Sequence, residues 1–294
     1  MKILMPVDAT KLNLNLVDDL SVNIDLKNST LDILYVIEQL PAYENVVDTF
    51  GGFGDNLYGQ FDSHANDVLS NLKAQINSIC PTVNFKILKG LISQTIHDEI
   101  VNGNYDLVVI PSYKPPKLEE YIFGRVSRHI INTNPKTSLI LKPSSNTKNG
   151  VKNILIGIDG SKDSMAALAK TNTLFDIKNN YKNIYVVNVV HLPSAVYAVS
   201  PPEFSTMVHG NMVMQSDIIL ADAKKQMAEL GLENVEIIQK TGEPVSEMAK
   251  MALELNCALV VVASHGTHAL HRLILGSVSE GIAKSAKTQV AIIK

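Results

Sequence analysis

The chain repeats itself, and that repeat limits what it can fold into more than any other feature. "KILMPVDAT" from Lys2 returns as "NILIGIDGS" from Asn153, which sets Asp8 over Asp159. "YDLVVIP" from Tyr105 returns as "CALVVVA" from Cys257, shifted by one residue more. "KTSLILK" from Lys136 returns as "KTQVAII" from Lys287. Self-similarity on this scale means two copies of one unit. Between them "PSSNTKNG", Pro143 to Gly150, is polar and turn-rich and reads as a linker. The expectation is two domains, residues 1–147 and 148–294, each long enough to bury its own core.

Each copy alternates strand and helix. In the second, "NILIGID" is a short apolar run of the kind buried on both faces of a sheet. "DSMAALAKTNTLF" follows as a helix, with Asp163 or Ser161 available as its N-cap. "NIYVVNVV" is the next strand, followed by a long connection containing Pro201 and Pro202. "MQSDIILADAKKQMAEL" is a helix closed by Gly231. "VEIIQK", "PVSEMAKMALEL", "ALVVVA", "SVSEGIAKSA" and "QVAII" complete the strand–helix alternation. Strands separated by helices imply an α/β fold with a mostly parallel five-stranded sheet in each copy. Ligands of such sheets bind beyond the carboxyl ends of the strands.

Composition narrows the function classes. With 46% apolar and 19% charged residues and a net charge of −3, the chain suits neither a disordered tail nor a broadly basic nucleic-acid surface. Cys80 and Cys257 stand far apart and outside any C-x-x-C pair, which disfavours a disulfide scaffold and suits a reducing compartment. Cys257 opens an apolar run and reads as a small buried hydrophobe. "MKILMPVD" is too short an apolar stretch for a signal peptide, and no run reaches membrane-spanning length. The expectation is a soluble, cytoplasmic protein with neither nucleic acid nor membrane as partner.

At the strand ends of the second copy stand Asp159, Val189 to His191, Thr241-Gly242 and Ala263 to Gly266, and Gly276-Ser277 then opens a helix. A helix start offers unpaired N–H groups and positive dipole charge, so Gly276, Ser277, Val278 and Ser279 suit phosphate oxygens. Gly266 and Gly276 let backbone approach a ligand where a side chain would collide. Asp159 can accept from ribose hydroxyls or a base edge. Taken singly, the glycines are ordinary turn and cap residues and Asp159 an ordinary helix cap. Their convergence favours the binding reading. The Lys-bearing phosphate loop G-x-x-x-x-G-K-[ST] occurs nowhere in the chain.

This stretch resembles the nucleotide motif of the universal stress protein family, G-x-x-G-(nine residues)-G-[ST]. Gly266, the nine residues Thr267 to Leu275, and Gly276-Ser277 match it, while Ala263 stands at the first glycine. The resemblance covers both halves. It implies two tandem Rossmann-like domains of the adenine nucleotide alpha hydrolase type, forming an intramolecular pseudo-dimer that can dimerise further. It also implies a stress-response sensor or regulator that binds ATP, AMP or ADP in the second half, with Mg2+ as the accompanying cation. Asp159 and Val189 would lie near adenine and ribose, and Ala263, His265, Gly266, Gly276, Ser277, Val278 and Ser279 near ribose and phosphates. In the first half Pro111, Lys114 and Gly124-Arg125 stand at the corresponding positions, so that copy reads as degenerate.

Other readings stay open. His265, His268 and His271 form H-x-x-H-x-x-H, but His265 falls in a turn, which spoils the helical spacing a metal site would use. Arg272 is within reach of a phosphate or is a solvated helix residue. "DGSKDS", Asp159 to Ser164, imitates the S-G-G-x-D-S loop of ATP pyrophosphatases at Gly160, Asp163 and Ser164, yet Asp159 would repel pyrophosphate. "FGGFGDNLYG", Phe50 to Gly59, reads as a surface loop, and "SAVYAVSPPEFSTMVHG" as a loop able to close over a nucleotide. Beside nucleotide sensing, a scaffold that has lost its nucleotide and an ATP-using enzyme remain the alternatives. No carboxylate is evidently placed as a general base, so ATP turnover should be slow or absent.

Overall fold

The computed structural model describes residues 1–8, 15–39, 63, 76, 79–112, 121, 123–143, 151–193, 200–266 and 275–294. The linker, Lys114 with the two prolines after it, the Gly-rich run of residues 50–59, His268, His271 and Arg272 lie outside the described residues. Two compact units emerge, one of Met1–Pro111 with Phe123–Leu141 and one of Ser112–Ile122 with Lys142–Lys294.

In the first unit β1 (Lys2–Val7), α1 (Leu16–Ser21), β2 (Thr30–Glu38), β3 (Thr82–Gly90), α2 (Ile92–Asn102), β4 (Leu107–Pro111), α3 (Arg125–Thr133) and β5 (Thr137–Leu141) follow in order. The strands lie side by side as β3-β2-β1-β4-β5, every pair parallel. In the second unit the order is β6 (Asn153–Gly157), α4 (Lys162–Phe175), α5 (Ile177–Asn180), β7 (Asn183–Val190), α6 (Pro202–Glu229), β8 (Val235–Thr241), α7 (Pro244–Glu254), β9 (Cys257–Ala263), α8 (Ser277–Ser285) and β10 (Gln289–Ile293). Its strands lie as β10-β9-β6-β7-β8, again all parallel.

The burial patterns explain the arrangement. β9, between β10 and β6, is buried at every residue, because its apolar run is covered on both faces, and β10 is buried at every residue as well. β8, at the edge of its unit, alternates between half-buried and exposed residues. Cys257 is fully buried, and that burial pushes its thiol up to about 12. In both units the chain moves outward from the first strand in one direction and then returns to its other side. That creates a switch point between β1 and β4, and between β6 and β9, where connections diverge and leave a crevice at the carboxyl edge.

Register refines the repeat. Thr137 sits beside Leu107 and Gln289 beside Leu259, so β5 corresponds to β10 one residue further on than matching the two Lys-Thr pairs suggests. Helix caps settle two open points. Ser161 caps α4, accepting from the Ser164 N–H, so Asp163 is a first-turn acid rather than the cap. Gly231 closes α6 with φ +72°, its N–H on Ala228 O and that of Leu232 on Met227 O, a Schellman closure. One expectation is corrected. Residues 202–213 are not part of a loop but the first turns of α6, because Pro202 takes the first helical position, where a missing N–H costs nothing.

Candidate functional site

The switch point of the second unit gathers most of the candidate residues from three separate elements. Asp159 follows β6. Its Oδ1 accepts from the Ser161 N–H at 3.0 Å and the Ser161 hydroxyl at 2.6 Å, while its own N–H donates to Ser164 Oγ at 3.3 Å. The carboxylate is thereby held in the turn, and Gly266 comes in against its other oxygen. A Cβ at Gly266 would lie 2.6 Å from Asp159 Oδ2, closer than real side chains tolerate. Gly266 does not have positive φ. Space, not backbone conformation, demands glycine there.

The end of β9 is tied to β10 by one bond and to the start of α8 by two. The Ser264 N–H donates to Ile293 O at 2.8 Å, extending the sheet by one residue. Ser264 O accepts the Gly276 N–H at 2.9 Å, and a Cβ on Gly276 would sit only 3.3 Å from that same oxygen. Ser279, buried, donates its hydroxyl to Ala263 O at 2.7 Å. Glu280 is the first residue of the helix whose N–H finds a helical carbonyl, that of Gly276 at 2.9 Å. No side chain caps this helix. Among the described residues, the N–H groups of Ser277, Val278 and Ser279 are therefore the helix's unsatisfied donors, with the dipole's positive end behind them. The Ser277 and Val278 side chains are exposed.

Ala263 is the last residue of β9 and has no positive φ, so alanine at that position brings no backbone strain. His265 places Nδ1 2.8 Å from Ser264 Oγ, and its buried Nε2 has no hydrogen-bond partner among the described residues. Val189 is half-buried in β7, in register with Lys240. Two further residues support the turn: Asn188, not singled out from the sequence, and Gly160, read there only as part of the pyrophosphatase-like loop. Buried Asn188 donates from Nδ2 to Ile158 O at 2.7 Å, fixing the chain where it leaves β6. Gly160, with φ +78°, lies where a Cβ would meet Ile219 of α6 at 2.6 Å. A polar Asn inside the apolar run "YVVNVV" is the signal that would have found the first.

Charge near the site is modest. Glu243 caps α7. Burial pulls its pKa up, but N–H bonds from Ser246 and Val245 outweigh it and hold the carboxyl below its usual value. Glu280 is paired with Lys284 at 2.7 Å. The geometry offers anion binding at a helix start and a carboxylate acceptor beside it.

The first unit differs at the same place. Gly124 begins α3 in extended backbone, as Gly276 begins α8, yet among the described residues nothing lies within 4 Å of a Cβ built on it. Asp8 follows β1 and is exposed.

Comparison with known proteins places these observations. The profile described as the universal stress protein family matches residues 1–142 and 150–294. The chain is 31% identical over 147 residues to universal stress protein YxiE of Bacillus subtilis (strain 168), covering 48% of this chain and 97% of that protein. A putative universal stress protein of Staphylococcus haemolyticus is 30% identical over 146 residues, covering 49% of this chain and 84% of its own. Among solved structures, a universal stress protein from Archaeoglobus fulgidus superposes with a TM-score of 0.67 at 18% identity, covering 100% of this chain and 98% of that one.

Proposed function

Because this chain belongs to the universal stress protein family, with a family match in each half, we propose that its second domain, residues 148–294, binds one adenine nucleotide. ATP is the leading candidate, ahead of AMP and ADP, and the bound state serves a stress-response sensor or regulator. The observation that carries this reading is the pair of glycines. At Gly266 a Cβ would meet the Asp159 carboxylate at 2.6 Å, and at Gly276 it would crowd the Ser264 carbonyl at 3.3 Å. A cradle pared down to backbone at both rims suits a ligand whose phosphates must reach helix N–H groups.

In this reading Asp159 accepts from ribose or the base edge and Val189 packs beside the adenine. The N–H groups of Ser277, Val278 and Ser279 and the Ser277 hydroxyl take phosphate oxygens. The Ser279 hydroxyl and the Gly276 N–H already serve Ala263 and Ser264, so they hold the cradle's shape rather than the ligand. Mg2+ bound with ATP would supply charge neutralisation between phosphate oxygens. Turnover is slow, because fast hydrolysis needs a positioned base and charge stabilisation.

The test is to denature the purified protein and identify released nucleotide, then titrate the stripped chain with ATP by calorimetry. One adenylate per chain is the expected stoichiometry. No retained nucleotide together with no calorimetric binding would replace the sensor with a scaffold. A turnover of about 1 per second or more would replace it with an enzyme.

A further inference from the structure

Helix α6 carries two apolar faces, and only one has a use inside its unit. Ser205, Ser216, Leu220, Ala223 and Met227 are buried against the sheet side. On the opposite side Phe204, Met207, Met214 and Ile218 stand 48%, 57%, 59% and 57% exposed. With exposed Asn211 and Ala221 between and after them, these positions step along the helix by three, four, three, four and three residues. That is the seam spacing of a two-helix coiled coil, here about 25 Å long. Large apolar residues in a continuous exposed stripe are uncommon on a monomer and mark a contact surface.

The geometry points to a second copy of this chain, docking its own α6 antiparallel along this stripe. Charge selects both the partner and the direction. In the antiparallel register that places Phe204 against Ala221 of the second copy and Met207 against its Ile218, Glu203 of each copy falls across from Lys224 of the other. The attraction occurs twice, by symmetry. A parallel pairing would instead set Asp217 across from Asp222, a repulsion occurring twice. Glu203, Asp217, Asp222 and Lys224 are all exposed, and Asp217, which accepts from Gln239 Nε2 at 2.9 Å, keeps its negative charge beside the stripe. The bulky Phe204 opposite the small Ala221 gives the ends of the seam complementary shapes, and the two Asn211 amides fall near the symmetry axis, where a polar pair fixes register. A membrane surface fits poorly, because an interfacial helix carries a basic polar face, whereas Asp217 and Asp222 border this stripe.

Sedimentation equilibrium of the full chain at tens of micromolar is the deciding experiment. Wild-type protein is expected at twice the 32.1 kDa chain mass. The double variant Met207→Asp/Ile218→Asp should run as a monomer, with circular dichroism and thermal unfolding unchanged because both side chains are solvent-facing. Glu203→Lys and Lys224→Glu should each raise the dissociation constant about tenfold, and the two together should restore it. A monomeric wild-type chain overturns the proposal, including one that instead sediments with phosphatidylserine vesicles. So does a dimer that survives the Asp variant, or a charge-swapped double variant weaker than either single one.

Discussion

Two helix starts, built from the same four-residue frame, show how one fold can keep a cradle and lose it. "GRVS" opens α3 and "GSVS" opens α8, both with glycine in extended backbone at the cap. A Cβ on Gly276 would lie 3.3 Å from the Ser264 carbonyl oxygen, and Ser279 Oγ is bonded to the end of β9. Among the described residues, nothing lies within 4 Å of a Cβ built on Gly124, and Ser127, half-buried, makes no hydrogen bond. The glycine meets a tight contact in the second copy and, among the described residues, none in the first. A motif's letters can outlast the packing that made them necessary.

The largest effect should come from filling the cradle. Gly266→Val sets a branched side chain on the Asp159 carboxylate and Gly276→Val one on the Ser264 carbonyl. Each should abolish ATP binding by calorimetry, a loss of more than about a hundredfold or 2.7 kcal/mol. Gly124→Val should leave affinity and thermal unfolding unchanged. Equal damage from Gly124→Val would mean the two helix starts are not different after all.

The next contrast is between the lysines that follow β5 and β10. Lys142 is fully buried, its Nζ donating to Ala286 O and lying 4.3 Å over the Tyr121 ring. Burial lowers its amine to about 7 and that of Lys294 to about 8. The unfolded chain holds these protons up to about 10.5, so between the folded and unfolded values it binds more protons than the native state. Stability therefore rises with pH in that window, by up to about 1.4 kcal/mol per pH unit for each lysine. Lys142→Met should flatten the rise from pH 7 upward in urea unfolding, and Lys294→Met only from about pH 8. Identical profiles would erase the distinction.

The amino edge separates the units in another way. In the first, Tyr105 OH lies 2.8 Å from Asp32 Oδ2, 2.6 Å from Glu99 Oε1 and 3.0 Å from Lys86 Nζ, and Asn84 donates to Asp32 at 2.8 Å. Burial pulls both carboxyl pKa values up, but the hydrogen bonds and Lys86 prevail and leave them lowered. Their stabilisation is present above the ordinary carboxylate range and lost as pH falls through the folded values. In the second unit Cys257 takes the place of Tyr105, a buried thiol in an apolar strand. Tyr105→Phe should cost about 2 kcal/mol and shift acid unfolding to higher pH, while Cys257→Ala should leave the acid limb unmoved. The smallest effect is local. Ser161→Ala removes the α4 cap and should cost about 1 kcal/mol in denaturant unfolding. It should also loosen Asp159, weakening ATP binding several-fold.

The sequence by itself determined the duplication, the strand–helix alternation, the parallel sheets and the carboxyl-edge position of the candidate residues. Those follow from side-chain periodicity, turn chemistry and chain chirality, which act over a few residues or on every α/β chain alike. Even there, Pro202 hid the first turns of α6, because proline marks a helix start and a loop with the same letter. Only the tertiary structure decided why Gly266 is glycine, since the atom it makes room for belongs to Asp159, on a different strand end. The same holds for the burial of Lys142 and for the exposed stripe on α6. A periodic apolar pattern reveals that a face wants cover, but which of two faces the sheet takes depends on volumes and contacts brought together from distant parts of the chain.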